Sequence, residues 1–380
     1  MRDQRSERQT RRDFLLGAVS IGTLALAGCT SQRAVQPNGD VARGQSGGGG
    51  SNPGGSGATP AGSGSSQSVQ PLTADGSSTV YPIANDGSSL WNGNPPAEDA
   101  EYWGPSEYDI ETDQNLADYF AGLYGFEATG ERSSPPYLVN IALSHSGTGV
   151  KAVQEGRVDV GNSSAPVADE LPDASQATLD NYVNHVVAVD GQPIVVSEQL
   201  YEAGVTGLTA EQLRNIYRKE ITNWSEVGGP DKTIRAIGRA EGSGTDTAFR
   251  ANLYGDAEAS ISPDIRKGQN QQVATLVEQS DNAIAYLALA FVNPDGPVRP
   301  ISLEVDGTVY EYGKNLGAKG YPLSRDLHMY TWKDTSKKEA AFINMLLSEF
   351  GQQNCVAPNN YFKLPKDRRE KQRAKLPDPV

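Results

Sequence analysis

Three segments of the sequence share an arrangement that suits anion binding: a short apolar run, a tight cluster of Gly, Ser and Thr, and then a helical pattern. They are Leu72–Ile83, Val139–Gly156 and Ile234–Tyr254. The first turn of a helix has N–H groups without internal partners, and the helix dipole adds partial positive charge there. Serine and threonine are also ordinary helix caps, so one such loop alone would indicate only a cap. Three together favour a site that holds an anion.

Arg239 is the charged residue that belongs with these loops, because it lies three residues before Gly242-Ser243-Gly244. A guanidinium offers planar, bidentate donation to an oxyanion. We expect Glu241 to hold the arginine through an ion pair, which contributes little if it is exposed. Three helix starts and one arginine predict a cage for a phosphate- or sulfate-shaped anion.

The same serines leave a second hypothesis open, a phosphatase-like hydrolase, which would need a nucleophile, a base and an orienting group. His145 lies between Ser144 and Ser146, but neighbouring residues point in different directions. Neither Ser146 nor Ser243 has the flanking glycines of a G-x-S-x-G motif. We therefore interpret His145 as a partly exposed loop residue and expect a binding protein rather than an enzyme.

Residues 1–28 are typical of an export signal, with a basic start and an uncharged apolar run from Phe14 to Ala27. That run of about 14 residues is shorter than the roughly 20 that a spanning helix needs. The pattern TRRDFLL resembles a twin-arginine signal, and LAGC resembles a lipobox whose cysteine carries lipid. We expect removal of residues 1–28 and a lipid on Cys29 that anchors the protein at the outer face of the cell membrane. The alternative is a buried N-terminal helix followed by a free cysteine.

Residues 29–70 are rich in Gly and Ser and predict a flexible tether, with a typical reach on the order of 35 Å. The net charge is −14 and would be −16 without residues 1–28, which contain five arginines and three acidic residues. Such a charge disfavours nucleic acid as a partner. Two cysteines, Cys29 and Cys355, exclude a disulfide framework, and three histidines lack metal-ligand spacing. We predict no metal and no cofactor.

From Leu72 to about Leu364, short apolar strands alternate with amphipathic helices, the pattern of an α/β fold. The helical patterns include Leu116–Tyr124, Ala210–Tyr217 and Lys338–Ser348. Residues 365–380 are charged and poor in apolar side chains, so we expect a frayed or disordered tail there.

Seven segments carry a resemblance: GSSTVYPI, SGTGVK followed by DVGNSSAPVADEL, ITNWSEVGG, GRAEGSGTDTAF, NAIAYLALAFV and YPLSRDLHMY. They occur in the order expected of the phosphate-binding lipoproteins of phosphate ABC transporters, and the sequence resembles that family over most of Leu72 to about Gln353. The resemblance implies a two-lobed α/β flytrap of the periplasmic-binding-protein type, class II, with the ligand in the cleft between the lobes. It also implies capture of inorganic phosphate and delivery to an ABC transporter permease by a protein expected to be a monomer.

The resemblance implies phosphate-binding roles for Ser78, Thr79, Ser146, Arg239, Ser243, Gly244 and Thr245, with Ser77 and Glu241 in support. It implies a discontinuous lobe 1, residues 71–190 and 322–364 with an insertion at about 88–136, and a lobe 2 of residues 191–321.

Two positions depart from the family pattern. Where familiar members have an aspartate that accepts the proton of hydrogen phosphate, this sequence has Ser164, so another tetrahedral oxyanion stays an alternative ligand. The second departure is an apparent insertion within Asp86–Pro136, which contains Trp91, Tyr102, Trp103 and Tyr108. If these aromatic side chains formed a contact patch, the protein would be a surface sensor or structural lipoprotein, which is a third hypothesis.

Overall fold

The computed structural model describes residues 69–380. The export signal, Cys29 and the tether up to residue 68 lie outside the described residues. Two β-sheets with helices packed on them make up the described part, and this confirms the α/β fold class. None of the helices between residues 69 and 380 has the length and apolar character to cross a membrane.

The first sheet contains the strands β1 (Leu72–Gly76), β2 (Val139–Ile141), β3 (Val160–Ser163), β4 (Tyr182–Gly191) and β12 (Ser324–Trp332). Their order across the sheet is β2-β1-β3-β12-β4. Strand β1 pairs in parallel with both β2 and β3, so the carboxyl ends of these three strands lie at one edge of the sheet. That edge is where ligands usually bind in open α/β sheets.

The second sheet contains β5 (Ile194–Ser197), β6 (Gly207–Thr209), β7 (Arg235–Arg239), β8 (Ile265–Lys267), β9 (Ala283–Tyr286), β10 (Val298–Val305) and β11 (Thr308–Tyr310). Their order is β11-β10-β5-β9-β7-β8, and β6 pairs with β10. Strand β7 pairs in parallel with β8 and β9, and its last residue is Arg239. The parallel part of this sheet therefore also directs its carboxyl ends, and Arg239 with them, to one edge.

The helices are α1 (Tyr81–Gly93), α2 (Leu116–Gly122), α3 (Ser146–Gln154), α4 (Val167–Glu170), α5 (Gln176–Leu179), α6 (Glu198–Glu202), α7 (Ala210–Arg218), α8 (Gly244–Tyr254), α9 (Asn270–Glu278), α10 (Lys337–Leu347), α11 (Glu349–Gly351) and α12 (Lys366–Arg373). Capping boxes start α7, where Thr209 pairs with Gln212, and α10, where Ser336 pairs with Glu339, and Gln269 and Gln272 form a similar pair at the start of α9.

We call the first sheet with its helices lobe 1 and the second sheet with its helices lobe 2. The chain leaves lobe 1 after Gly191, enters lobe 2 at Ile194 and returns to lobe 1 at Ser324. The crossing segments lie side by side, since the Gln192 N–H donates to the Leu323 carbonyl at 3.1 Å. Paired crossings of this kind are the usual place for hinge motion between two lobes.

Helix α3 packs very closely on the first sheet because glycines face each other there. A Cβ atom at Gly149 would lie 2.6 Å from the Asp75 carbonyl oxygen, and one at Gly161 would lie 2.6 Å from the Gly149 carbonyl oxygen. No side chain fits at either position. The close approach fixes the first residue of α3, Ser146, at the carboxyl edge of the sheet.

The aromatic residues of the insertion belong to the core of lobe 1, which removes the contact patch that the third hypothesis needed. Trp91 and Trp103 are fully buried. The Trp91 Nε1–H donates to the Tyr137 carbonyl at 2.8 Å. The rings of Trp103 and Tyr108 both pack edge-on against the Phe350 ring, with centroid distances of 5.0 and 5.3 Å. The half-buried Tyr102 lies next to Trp103 in the chain.

The expectation of a frayed tail at residues 365–380 is wrong. Helix α12 forms there, and its buried Gln372 accepts a hydrogen bond from the Val186 N–H of β4 at 3.0 Å. Arg369 pairs with Glu349 at 2.6 Å. Strand β4 is the edge of the first sheet, and covering an edge strand satisfies backbone groups that would otherwise stay unpaired. Charge composition alone gave no sign of this sheet-edge contact.

Candidate functional site

The three Gly/Ser/Thr loops meet where lobe 1 contacts lobe 2. The Thr79 and Thr245 Oγ1 atoms are 3.0 Å apart. Gly244 lies so close to the Ser146 hydroxyl that a Cβ atom on it would be 2.2 Å from Oγ. All four residues are buried. Residues far apart in the chain therefore form one buried polar cluster, which we call the hydroxyl cluster: Ser77, Ser78, Thr79, Ser146, Ser164 and Thr245.

Arg239 is 1% exposed and its guanidinium reaches from lobe 2 to lobe 1, where Nη2 donates to Ser78 Oγ at 3.1 Å. Its other hydrogen bonds hold it within lobe 2. Nη2 donates to the Gly268 carbonyl at 2.6 Å and Nε donates to the Lys267 carbonyl at 3.2 Å. Burial lowers the pKa of Arg239 to about 10, so it keeps its charge at neutral pH.

Glu241 does not have the role that we expected from its position near Arg239. It is exposed, and the hydrogen bonds of the guanidinium go to an amide, a hydroxyl and two carbonyl groups. Ser243 is 2% exposed and is the N-cap residue of α8, where its carbonyl accepts from the Asp246 and Thr247 N–H groups at 2.8 and 3.0 Å.

Asn270 belongs to this site, although no sequence pattern singles it out. It is fully buried at the start of α9. Its Oδ1 accepts from Arg239 Nη1 at 2.6 Å, and its Nδ2 donates to both Ser78 Oγ and Thr79 Oγ1 at 3.1 Å. In the sequence the residue looks like one of several polar residues at a helix start, and only the parallel pairing of β7 with β8 brings it to Arg239.

Arg325 is a second buried arginine that the sequence analysis missed, although its segment YPLSRDLHMY supports the family resemblance. Its Nε and Nη2 donate to Asp190 Oδ2 at 3.0 and 2.7 Å. Nη2 also donates to Thr79 Oγ1 at 3.3 Å and Thr245 Oγ1 at 3.2 Å, and Nη1 donates to the Gly244 carbonyl at 3.0 Å. Arg325 therefore touches both lobes from the strand on which the chain returns to lobe 1.

Ser164 lies inside the hydroxyl cluster and is fully buried. Its Oγ accepts a hydrogen bond from Ser77 Oγ at 3.0 Å, and its N–H donates to Ser146 Oγ at 3.1 Å. The Ser164 and Ser146 Oγ atoms are 3.4 Å apart. Ser77 in turn accepts from the Thr79 N–H at 3.1 Å, so it orients the loop rather than facing outward.

Glu170 and His145 lie at the rim, where the lobes touch. Both carboxylate oxygens of Glu170 are buried without a hydrogen-bond partner among the described residues, and one faces Gly147. Burial raises the pKa of Glu170 to about 8, although Thr247 and Arg325 act to lower that pKa. Burial and the charge of Arg239 lower the pKa of His145, which contacts Gly268 of lobe 2.

The chemistry available to this arrangement is anion binding. Arg325 is paired with Asp190 and the buried Asp246 is paired with Arg250 and Arg266, whereas the hydrogen bonds of Arg239 go to uncharged groups, so the charge of Arg239 is left for a ligand. The hydroxyl groups and the first turn of α8 supply hydrogen-bond donors. Among the described contacts, Ser146 Oγ bonds to Ser164 and not to the ring of His145, so Ser146 is not paired with that histidine as a nucleophile would be.

A family model described as "PBP superfamily domain" matches residues 121–349. The phosphate-binding protein PstS of Bacillus subtilis is 30% identical over 228 residues, which are 60% of this chain and 72% of that protein. Protein SphX of Synechocystis is 24% identical over 238 residues, 58% of this chain and 64% of the relative. These matches confirm the resemblance that the seven sequence segments indicated.

Solved structures show the same fold. One is a Clostridium perfringens protein with bound phosphate, described as a candidate phosphate ABC transporter substrate-binding protein. It has a TM-score of 0.57 and 22% identity, over 78% of this chain and 100% of that one. An ABC-type phosphate transport receptor from Vibrio cholerae has a TM-score of 0.52 and 22% identity, over 77% of this chain and 100% of the receptor. The chain thus belongs to the PBP superfamily, among the phosphate-binding proteins that serve as substrate-binding components of ABC transporters.

Proposed function

We propose that this protein is an extracytoplasmic solute-binding protein that captures inorganic phosphate and delivers it to an ABC transporter permease. The family supports this function, because its members are substrate-binding transport proteins rather than enzymes. The B. subtilis relative is itself a phosphate-binding protein.

One observation carries the proposal: the hydroxyl cluster and Arg239 are buried and drawn from both lobes. Thr79 of lobe 1 is 3.0 Å from Thr245 of lobe 2, and Arg239 of lobe 2 donates to Ser78 of lobe 1. Buried hydroxyl groups and a buried guanidinium are costly to maintain unless they are hydrogen-bonded, and an oxyanion is a natural common acceptor for them. In this proposal the phosphate contacts are made by Ser78, Thr79, Ser146, Ser164, Arg239, Ser243, Gly244 and Thr245.

Capture is proposed to occur by closure of the lobes. A site composed of groups from both lobes is complete only when the lobes meet, so the ligand favours the closed arrangement by its differential affinity. Opening at the permease would separate Thr79 from Thr245 and release the anion. The paired crossing segments at Gln192 and Leu323 are the proposed hinge.

The mature protein is proposed to be a monomer held at the outer face of the membrane by lipid on Cys29. The support is the LAGC sequence and the Gly- and Ser-rich segment that follows it. Labelling with radioactive palmitate tests the anchor, and label that survives in Cys29→Ser would contradict it.

Titration of the purified protein with phosphate by calorimetry tests the function. One anion bound per chain, together with no product released from a phosphoester, supports a transport role. Released product would support the hydrolase, and neither binding nor turnover would contradict the proposal. Sulfate and arsenate belong in the same panel, because Ser164 favours a second candidate function, the capture of another tetrahedral oxyanion.

A further inference from the structure

The direction of the hydrogen bonds around Asn270 can be assigned from its partners. Its Oδ1 faces Arg239 Nη1 at 2.6 Å and the Ala288 N–H at 3.4 Å, and both of these groups can only donate. The amide oxygen must therefore lie on that side. Its NH₂ group then points to Ser78 and Thr79, each at 3.1 Å.

This amide leaves Ser78 with no free lone pair. A hydroxyl oxygen has two acceptor sites and one hydrogen to donate. Ser78 Oγ accepts from Asn270 Nδ2 and from Arg239 Nη2, both at 3.1 Å. Its hydrogen is the remaining hydrogen-bonding group, so Ser78 can act toward a ligand only as a donor.

Arg325 has the same effect on the two threonines. Asp190 accepts hydrogen bonds from Arg325 Nε and from one hydrogen of Arg325 Nη2. The other Nη2 hydrogen therefore points to Thr79 and Thr245. Thr79 Oγ1 then accepts from Arg325 and from Asn270, so it must donate to Thr245 at 3.0 Å. Thr245 Oγ1 accepts from Arg325 and Thr79, and its own hydrogen is left for a ligand.

The other side of the hydroxyl cluster keeps its freedom. Ser164 Oγ accepts one hydrogen bond from Ser77, and Ser146 Oγ accepts one from the Ser164 N–H. The hydrogen bond between these two hydroxyls, at 3.4 Å, uses one of their hydrogens and one of their lone pairs, whichever of them donates. The pair therefore retains one lone pair and one hydrogen, and it can accept from one protonated ligand oxygen or donate to a deprotonated one.

We infer that Asn270 and Arg325 are positioning residues that leave Ser78, Thr79 and Thr245 without an acceptor for the ligand and fix Ser78 and Thr245 as donors toward it, so that the site takes a tetrahedral oxyanion through deprotonated oxygens on their side. The inference rests on the proposed function and adds the ligand's protonation state to it. The site accommodates at most one protonated oxygen, and that oxygen faces Ser146 and Ser164. Phosphate should bind better as its second proton leaves, whereas sulfate carries no proton to lose.

The test is the ratio of phosphate affinity to sulfate affinity, measured by calorimetry below and above the second ionisation of phosphate. Arg239, Arg325, Asp190 and Asp246 lie around the cluster, and Glu170, Asp169, His145 and Asp75 lie at its rim. Their titration acts on both anions, and Asn270→Ala keeps all of these groups, so its difference from the native protein isolates the contribution of the hydrogen-bond donors. In the native protein the ratio should rise with pH.

In Asn270→Ala, Ser78 and Thr79 each regain a lone pair and can accept from a protonated oxygen, so the rise should shrink by about five- to tenfold. Arg325→Lys keeps the charge beside Asp190 but cannot serve both threonines, and it should flatten the profile too. Asn293→Ala, in an exposed turn of lobe 2, is the matched control and should follow the native profile. A merely structural effect would lower the affinity for both anions together and leave the ratio of the two affinities unchanged.

Arg325→Lys keeps the test informative if the asparagine variant unfolds. Thr245→Ser keeps the hydroxyl with its free hydrogen, so its ratio should follow the native profile. A native ratio that is flat with pH, or identical profiles in Asn270→Ala, Arg325→Lys and the native protein, would overturn the inference and leave phosphate capture intact. Binding of neither anion by the native protein would overturn both.

Discussion

Gly244 of lobe 2 lies directly against Ser146 of lobe 1, with no room for a methyl group between them. A Cβ atom at residue 244 would be 2.2 Å from Ser146 Oγ and 2.6 Å from Ser164 Oγ. The family resemblance implied a ligand contact for Gly244, and the geometry gives a physical reason for glycine at this position. Two hydroxyl groups of lobe 1 thus lie against this glycine where the ligand is proposed to sit.

Gly244→Ala should therefore oppose closure without damaging either lobe. Overpacking of a close contact costs about 1–3 kcal/mol, which corresponds to a roughly 5- to 150-fold loss of phosphate affinity. Small-angle scattering should show that the variant compacts less than the native protein when phosphate is added. Gly93→Ala is the control, because a Cβ atom there has open space, and it should bind normally. Native affinity in Gly244→Ala would contradict this reading of the contact.

Arg239→Ala should abolish detectable phosphate binding. The substitution leaves a desolvated anion without its partner, which typically costs about 3–5 kcal/mol, a loss of roughly 10² to 10³ or more in affinity. It also leaves Asn270 Oδ1 with one donor fewer, so the free energy of unfolding should fall by about 1–3 kcal/mol. Arg235→Ala serves as the control. Arg235 lies on the same strand, and its described side-chain hydrogen bond goes to Ser280. Unchanged affinity by calorimetry would remove Arg239 from the site.

Glu170 should make lobe closure depend on pH. Its pKa is about 8 in this arrangement and has the ordinary value of 4.5 when the carboxylate is exposed, so closing or folding takes up a proton. Asp169 and Asp246 raise the pKa further, while Thr247 and Arg325 lower it. Between about pH 4.5 and about pH 8 the protein is expected to lose stability and sulfate affinity as pH rises, because the open and unfolded forms bind fewer protons there.

Glu170→Gln should flatten that dependence, since an amide does not titrate. Thermal unfolding followed across this pH range is the measurement, and the variant should be the more stable protein at the alkaline end. Glu241→Gln makes the same change on an exposed carboxylate of the facing loop, and its stability should change with pH as steeply as that of the native protein. Equal slopes in Glu170→Gln and the native protein would show that Glu170 is not buried in solution.

Local sequence pattern was enough to select the loops of the site but not the residues that orient them. The turns at Ser77–Thr79, Ser146 and Ser243–Thr245 are visible because Gly, Ser and Thr precede a helical pattern. Asn270 and Arg325 act through partners that only the sheet pairings bring near, and no local pattern records those pairings. The same reason explains why the sequence did not reveal a role for Trp103, whose ring packs on Phe350.

The Ser164 hydroxyl stands where the family resemblance implies an aspartate, and the structure narrows which carboxylate could take the role of that aspartate. Asp75 Oδ1 accepts from Ser144 Oγ at 2.8 Å and from the Gly76 N–H at 2.7 Å. Asp86 accepts from Asn359 at 2.7 Å, and Glu241 is exposed. These three carboxylates are engaged elsewhere or open to solvent, so we expect Ser164 and Ser146 to provide the acceptors themselves.

Sulfate and arsenate should accordingly compete with phosphate in the native protein, because a serine hydroxyl can donate to one anion and accept from another. Ser164→Asp should restore selectivity against sulfate by about 1–3 kcal/mol, since a buried carboxylate facing a sulfate oxygen has no hydrogen to accept. Competition titrations measure both effects, and Ser89→Asp, on the exposed face of α1, controls for added charge. If Ser164→Asp instead lowers the affinity for phosphate and for sulfate equally, another carboxylate already accepts the proton of phosphate, and the added charge only repels the anion. If neither affinity nor selectivity changes, the Ser164 side chain does not face the ligand, and the specificity of this cleft must be sought in the donors fixed by Asn270 and Arg325.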